Sequence, residues 1–241
     1  LNNLILFFVL IGFGLFFYKY SILILNKHYA KLLLDNHFDK PQAFHESPTS
    51  VTGGIGIFFS FLIVYFYFLL FKNTIFLEYL TFCAPIFFIG LIDDLKIDVK
   101  PKIRLALMII LLVALIKYNN FYLENTGIEV LNNWIDNSKI FSLIFICLCF
   151  LFIINGANIV DGYNGLLGIH SLIIFVNLFL INFLSGNNDL ANLLFFEIII
   201  LAIFLIFNFP KAKVFLGDSG SYFLGAFISV SVVQTSIANP T

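Results

Sequence analysis

The chain has 241 residues, of which 61% are hydrophobic, 18% aromatic and only 11% charged. An ordinary soluble domain carries roughly 25% charged residues, so a water-soluble fold is excluded, and a net charge of −1 leaves no global field to attract nucleic acid. Ten-residue segments of alternating polarity, the mark of a membrane β-barrel, are absent, which leaves an integral membrane protein made of helices.

A helix needs about 20 apolar residues to cross a hydrocarbon core of roughly 30 Å. Eight runs approach that length, at about 4–25, 54–71, 76–92, 103–116, 139–154, 169–184, 190–207 and 222–238. They predict an all-α polytopic protein whose residues 1–241 form a single integral-membrane domain. Lys19 interrupts the first run. Either it snorkels, or the helix ends there and Ser21–Leu34 lies along the interface as an amphipathic segment. No cleavable signal peptide is expected, because the first run has no basic segment before it and no small-residue cleavage site. The chain lacks an initiator Met and stops at Thr241 just after an apolar run, so a piece of a longer protein is expected. Cys83, Cys147 and Cys149 lie inside apolar runs with no metal-ligand spacing, and are read as buried, unpaired thiols.

Eight crossings make seven loops. The odd ones are about 26–53, 93–102, 155–168 and 208–221, and the even ones 72–75, 117–138 and 185–189. Nine basic residues (Lys27, Lys31, Lys40, Lys96, Lys100, Lys102, Arg104, Lys211 and Lys213) belong to the odd loops or their edges, against three (Lys72, Lys117 and Lys139) on the other side. The positive-inside rule makes the odd loops cytoplasmic. Parity then gathers every unusual polar cluster on that one face.

The first odd loop carries His45, Pro48 and Thr49, then Gly53 and Gly54 where a membrane helix opens. A glycine-rich helix start offers free N–H groups to a phosphate, although a flexible entry turn has the same composition. The second begins with Asp93 and Asp94, followed by Lys102 and Arg104. Adjacent carboxylates at a membrane boundary are costly unless they bind a cation, pair or do acid–base work. The third is Asn155–Gly168, where Asn158, Asp161 and Asn164 recur every third residue. On a helix or a run of turns that spacing puts three oxygen-bearing side chains on nearly one face; the same residues also suit a plain interhelical turn. The fourth holds Asp218 among Gly217, Ser219, Gly220 and Ser221. Asp218 is a hard oxygen ligand suited to Mg²⁺, which usually takes one or two carboxylates with water and phosphate oxygens. Glu197 stands apart, near the middle of the seventh run, as an intramembrane carboxylate that is a functional candidate or a protonated, hydrogen-bonded group between helices.

Asp93, Asp94, Asn158, Asp161 and Asp218, a basic set and glycine-rich helix starts on one face fit Mg²⁺-dependent phosphoryl chemistry between a nucleotide and a lipid. An ion or solute transporter would be expected to carry such groups at the midplane and in repeats, and no repeat is present. A membrane scaffold would need neither the Asp-Asp pair nor a metal set.

Four strings in order resemble the polyprenyl-phosphate N-acetylhexosamine-1-phosphate transferases of glycosyltransferase family 4. They are His-x-x-Pro-Thr…Gly-Gly at His45–Gly54, Asp-Asp with a downstream basic residue at Asp93–Lys102, Asn-x-x-Asp-Gly-x-x-Gly-Leu at Asn158–Leu166, and Phe-x-Gly-Asp-x-Gly-Ser at Phe215–Ser221. The resemblance covers nearly the whole chain. It implies an enzyme of the bacterial inner membrane, active on the cytoplasmic face, that moves a sugar-1-phosphate from a UDP-N-acetylhexosamine to undecaprenyl phosphate and releases UMP. Mg²⁺, or Mn²⁺ in its place, is the implied cofactor, and a homodimer the candidate assembly. By resemblance Asn158 and Asp218 hold the metal, Asp93 is the base or nucleophile, and Asp94 and Asp161 support metal and diphosphate. Lys102 contacts phosphate, while His45, Gly53, Gly54, Asn164, Gly217 and Ser221 bind substrate. The Lys-Ile-Arg step after the Asp-Asp pair looks like the GlcNAc-1-phosphate branch, which starts lipopolysaccharide and teichoic acid, more than the phospho-N-acetylmuramoyl-pentapeptide branch. Departures are Asn164 where many members have Asp, Ser50 and Val51 where many have Pro-Arg, and the absence of a His-rich loop that follows in the family.

Overall fold

The computed structural model describes residues 2–25, 33–35, 48–123 and 126–239. Eight long helices follow the eight apolar runs: α1 (Asn2–Leu25), α2 (Gly53–Tyr67, extended by a π-helical turn over Phe68–Lys72), α3 (Leu77–Asp94), α4 (Pro101–Tyr118), α6 (Lys139–Val160), α7 (Leu166–Leu184), α8 (Asn188–Asn208) and α9 (Gly217–Ala238). A short amphipathic helix, α5 (Glu129–Asn137), was not expected from the apolar runs. Six of the long helices are apolar and long enough to cross a membrane by composition. The other two, α3 and α4, each have 18 residues with three charges near their ends: Glu78, Asp93 and Asp94 on α3, and Lys102, Arg104 and Lys117 on α4. The protein is a multi-pass, all-α membrane protein. Lys19 does not end the first helix, since α1 runs unbroken through it to Leu25.

The last of these helices is the central one. Fifteen of the 22 residues of α9 are buried, and α2, α3, α6 and α7 all pack on it. Between lipid-exposed helices no hydrophobic drive favours association, so close backbone approach has to supply dispersion contact. Glycines provide it. A Cβ on Gly54 of α2 would lie 2.2 Å from the Gly220 nitrogen, one on Gly90 of α3 would lie 2.4 Å from the Asp218 carbonyl, and one on Gly225 of α9 would lie 2.7 Å from the Ile154 Cα of α6. Aromatic rings fill the wider gaps, with Phe58 stacked on Phe87 at 4.1 Å and Phe82 edge-on to Phe150 at 4.9 Å. The outer surface is apolar too: Phe16, Ile110, Phe152 and Leu184 are all exposed, as lipid-facing side chains are.

One end of the bundle is tied by main chain. Strand β1 (Leu34–Asp35) pairs antiparallel with β2 (Thr49–Ser50), and Ser50 bridges in parallel to Val214 just before α9. The Phe215 N–H donates to the Ser50 carbonyl at 2.7 Å, and the Val51 N–H to the Leu33 carbonyl at 2.8 Å. Three stretches far apart in sequence are thereby locked at the end where α3 and α6 stop and α9 starts.

Candidate active site

Buried stripes deliver the polar residues to this end. On α3 the buried positions run through Ile86, Phe87 and Gly90; three and four residues on, still helical, come Asp93 and Asp94. On α4 Met108, Leu112 and Ile116 are buried, and Arg104 is one four-residue step before them. On α6 the series Ser142, Ile146, Phe150 and Ile154 is buried, and the next step is Asn158. Asp161 stands immediately past α6, and Asp218 is in the first turn of α9.

The adjacent carboxylates divide the work. Asp94 accepts the Asp218 N–H at 2.8 Å and the Ser219 N–H at 2.9 Å, one on each oxygen. These first-turn N–H groups have no partner within their own helix, and a carboxylate there also meets the positive end of the helix dipole. Gly217 makes room: its φ is +78°, and a Cβ would lie 2.7 Å from the Asp94 Oδ2. Asp93 points elsewhere, because neighbours on a helix diverge by about 100°. It pairs with the Arg104 guanidinium, which also reaches the Asp218 Oδ2 at 3.6 Å. The guanidinium lies over the Tyr222 ring, 5.8 Å from its centroid, and the Asn158 side chain stands near the Tyr222 hydroxyl. Removal from water is the main cause that pushes the Asp161 carboxyl well above the usual carboxylate range, and Asp218 and Asp94 repel its charge in the same direction. Asp161, Asp218 and Asp94 therefore feel one another's charge, and Asp218 is also within reach of the Arg104 guanidinium.

Asp93, Asp94, Asn158, Asp161 and Asp218 are brought together, each on or beside a helix end. Other expected site residues are placed differently. His45 lies outside the described residues. The N–H groups of Gly53 and Gly54 are not free for a phosphate: they donate to the Phe215 and Leu216 carbonyls at 2.9 and 2.8 Å. These glycines serve the approach of α2 to the start of α9. Ser221 turns its hydroxyl back to the Asp218 carbonyl at 3.1 Å and is fully buried. Lys102 is exposed, two residues from Arg104 and so on the opposite side of α4; Arg104 is the base that reaches the carboxylates. The Asn164 amide donates to the Pro210 carbonyl at 3.3 Å. Next to it the Gly165 N–H donates to the Asn208 Oδ1 at 2.6 Å, so the turn is pinned to the end of α8. Glu197 is buried in α8, and one of its oxygens has no hydrogen-bond partner among the described residues. The three cysteines are free thiols, with Cys83 and Cys147 buried and Cys149 partly so.

Sequence reasoning missed Tyr222, although it lies one turn after Asp218. It also favoured Lys102 over Arg104. The four-residue stripe through Met108, Leu112 and Ile116 was the available signal for the latter.

The model of the glycosyl transferase family 4 matches residues 76–236. A phospho-N-acetylmuramoyl-pentapeptide-transferase of Dictyoglomus turgidum is 34% identical, over 96% of this chain and 75% of its own length. An undecaprenyl-phosphate alpha-N-acetylglucosaminyl 1-phosphate transferase of Thermotoga maritima is also 34% identical, over 81% of this chain and 56% of its own length. A protein of the same name from Escherichia coli is 28% identical over 82% of this chain and 55% of its own length. The chain thus spans from about half to three quarters of these relatives.

Proposed function

Since this chain belongs to the glycosyl transferase family 4, we propose that it transfers N-acetylglucosamine-1-phosphate from the UDP-sugar to undecaprenyl phosphate, releasing UMP and starting a lipid-linked envelope glycan. The observation that carries this reading is the cluster of Asp93, Asp94, Asp161 and Asp218, with Arg104 reaching Asp93 and Asp218, at one end of a membrane bundle. A nucleotide approaches such an end from water while a prenyl chain approaches through lipid. The excess of basic residues in the loops of that end supports a cytoplasmic orientation in the bacterial inner membrane.

In the reaction an oxygen of the lipid phosphate forms a bond to the sugar-bearing phosphorus. The bond from that phosphorus to the bridging oxygen breaks, and UMP leaves with that oxygen. Asp93, oriented by Arg104, takes the proton of the lipid phosphate. Asp94 fixes the start of α9, and with it the place of Asp218. The donor set suits Mg²⁺: the mutual repulsion of Asp94, Asp161 and Asp218 is what a divalent cation relieves. Asp218 and Asn158 would hold the ion. Water and substrate oxygens would complete its shell, as is usual for Mg²⁺. Bound there, Mg²⁺ would neutralise the diphosphate.

A second reading, transfer of phospho-N-acetylmuramoyl-pentapeptide, draws support from the relative that covers most of this chain. Radiolabel transfer to undecaprenyl phosphate, offered UDP-GlcNAc and UDP-N-acetylmuramoyl-pentapeptide in turn with and without Mg²⁺, tests both. The expected result is label from UDP-GlcNAc with Mg²⁺ only. Label from the pentapeptide donor alone would replace the first reading with the second, and label from neither would overturn both.

A further inference from the structure

Tyr222 is 1% exposed, and it lies where three helices bring their polar groups. It stands on α9 one turn beyond Asp218, so both side chains share a face. The Arg104 guanidinium from α4 lies over its ring, 5.8 Å from the centroid, and the Asn158 side chain from α6 stands near its hydroxyl. An arginine has several rotatable bonds, and a guanidinium that reaches both Asp93 and Asp218 has to be held in one of many rotamers. An aromatic face does this by cation–π attraction, which strengthens where water is excluded. A buried tyrosine also needs a partner for its hydroxyl, and Asn158, one of the two proposed metal-holding residues, stands near enough to serve. A leucine would satisfy the apolar wall of α9 and neither of the other two demands.

We infer that Tyr222 is a positioning residue for the proposed transfer: its ring aims the Arg104 guanidinium at the two aspartates and its hydroxyl fixes the Asn158 amide. The inference rests on the reading of this site as a UDP-sugar transferase. The two functions of the side chain separate by substitution. Tyr222→Phe keeps the ring and loses the hydroxyl. It should leave the KM for UDP-sugar within about twofold and lower kcat about tenfold, since only the Asn158 contact is lost. Tyr222→Leu removes both and should also raise that KM about tenfold. Tyr222→Trp, which restores an aromatic face, should bring KM back. In an Arg104→Gln background Tyr222→Leu should add nothing further to KM, because the two residues act as one unit.

Kinetics of these variants on the full chain in detergent micelles decide it. Equal KM for the Phe and Leu variants, or losses that add in the double variant, overturn the inference. If Tyr222→Leu does not fold, Tyr222→Met, which also lacks the ring, takes its place in the same comparison. If the wild type transfers nothing from any UDP-sugar, the proposed function falls. The unfolding temperatures of wild type, Tyr222→Phe, Arg104→Gln and their double, set against the same cycle with Tyr222→Leu, then read the contact alone. Coupling to Arg104 that is present in the Leu cycle and absent in the Phe cycle upholds the aiming role, and additivity in both overturns it.

Discussion

The two ends of this bundle are both polar and are built in opposite ways. At the end where α9 starts, charged groups reach across helices: Asp93 of α3 to Arg104 of α4, Arg104 to Asp218 of α9, Asp94 of α3 to the first N–H groups of α9. At the far end amide and hydroxyl donors tie helix ends, with single carboxylates rather than a cluster among the acceptors. Asn182 donates to the Thr235 hydroxyl at 2.8 Å, Asn187 to the Ala238 carbonyl at 3.3 Å, and Gln234 to Glu78 at 3.2 Å, beside an open cavity of about 520 Å³. Neutral bonds satisfy buried donors and acceptors at small net gain. Clustered carboxylates repel one another, so a fold keeps them where chemistry uses them. The difference sets a fastening end against the end proposed to be reactive.

Changes at the reactive end should be the most damaging. Asp218→Ala is expected to lower transfer by about 10³-fold or more, the scale for removing an electrostatic stabiliser of the transition state, while the chain stays folded by circular dichroism. Near-normal turnover at low Mg²⁺ would show that the cluster is only structural, and the contrast between the ends would collapse. Asp93→Asn is expected to cost about 10²-fold in kcat, the lower part of the range for general-base help. That deficit should shrink as pH rises and the lipid phosphate loses its proton to solvent. Side-by-side pH–rate profiles check this: a deficit constant with pH speaks against proton transfer, and a trapped sugar-phosphate adduct on Asp93 makes it the nucleophile.

Between the extremes lies Gly90. Its Cβ would press on the Asp218 carbonyl at 2.4 Å, so Gly90→Ala should destabilise by about 1–3 kcal/mol through overpacking and lower transfer together with stability. Thermal unfolding and turnover on the same preparation would show whether the two fall together. The smallest effect belongs to the fastening end. Gln234→Ala should cost about 1 kcal/mol of stability and leave kcat within about twofold; a large loss of turnover would mean that the ends are coupled.

Much of this was legible in the sequence because membrane helices read plainly. The eight apolar runs became the eight long helices, and loop parity placed the acidic residues at one end. Boundaries were less legible. Asp93 and Asp94, Asn158 and Asp218–Ser221 were expected in loops but belong to helices, since hydropathy stops where polarity begins whereas backbone hydrogen bonding continues. Choosing Arg104 over Lys102 needed the phase of α4, which its two end charges obscured and its buried stripe revealed. The fate of the Gly53 and Gly54 N–H groups was not legible at all: their acceptors are the carbonyls of Phe215 and Leu216, some 160 residues away along the chain. The same holds for the pairing of Ser50 with Val214, and α5 escaped notice because nine residues with mixed polarity make no apolar run.

The central place of α9 also has a temporal meaning. A ribosome adds about 5–20 residues per second, so Asp94 leaves the peptidyl transferase centre roughly 6–25 s before the Asp218 and Ser219 N–H groups that it caps. Throughout that interval the contact surfaces at Gly54 of α2 and Gly90 of α3 lack the α9 backbone they fit, and the Ile154 turn of α6 joins them partway. Strand β2 likewise waits for Val214. A nascent chain therefore cannot complete the cluster of Asp94, Asp161 and Asp218 until α9 is inserted.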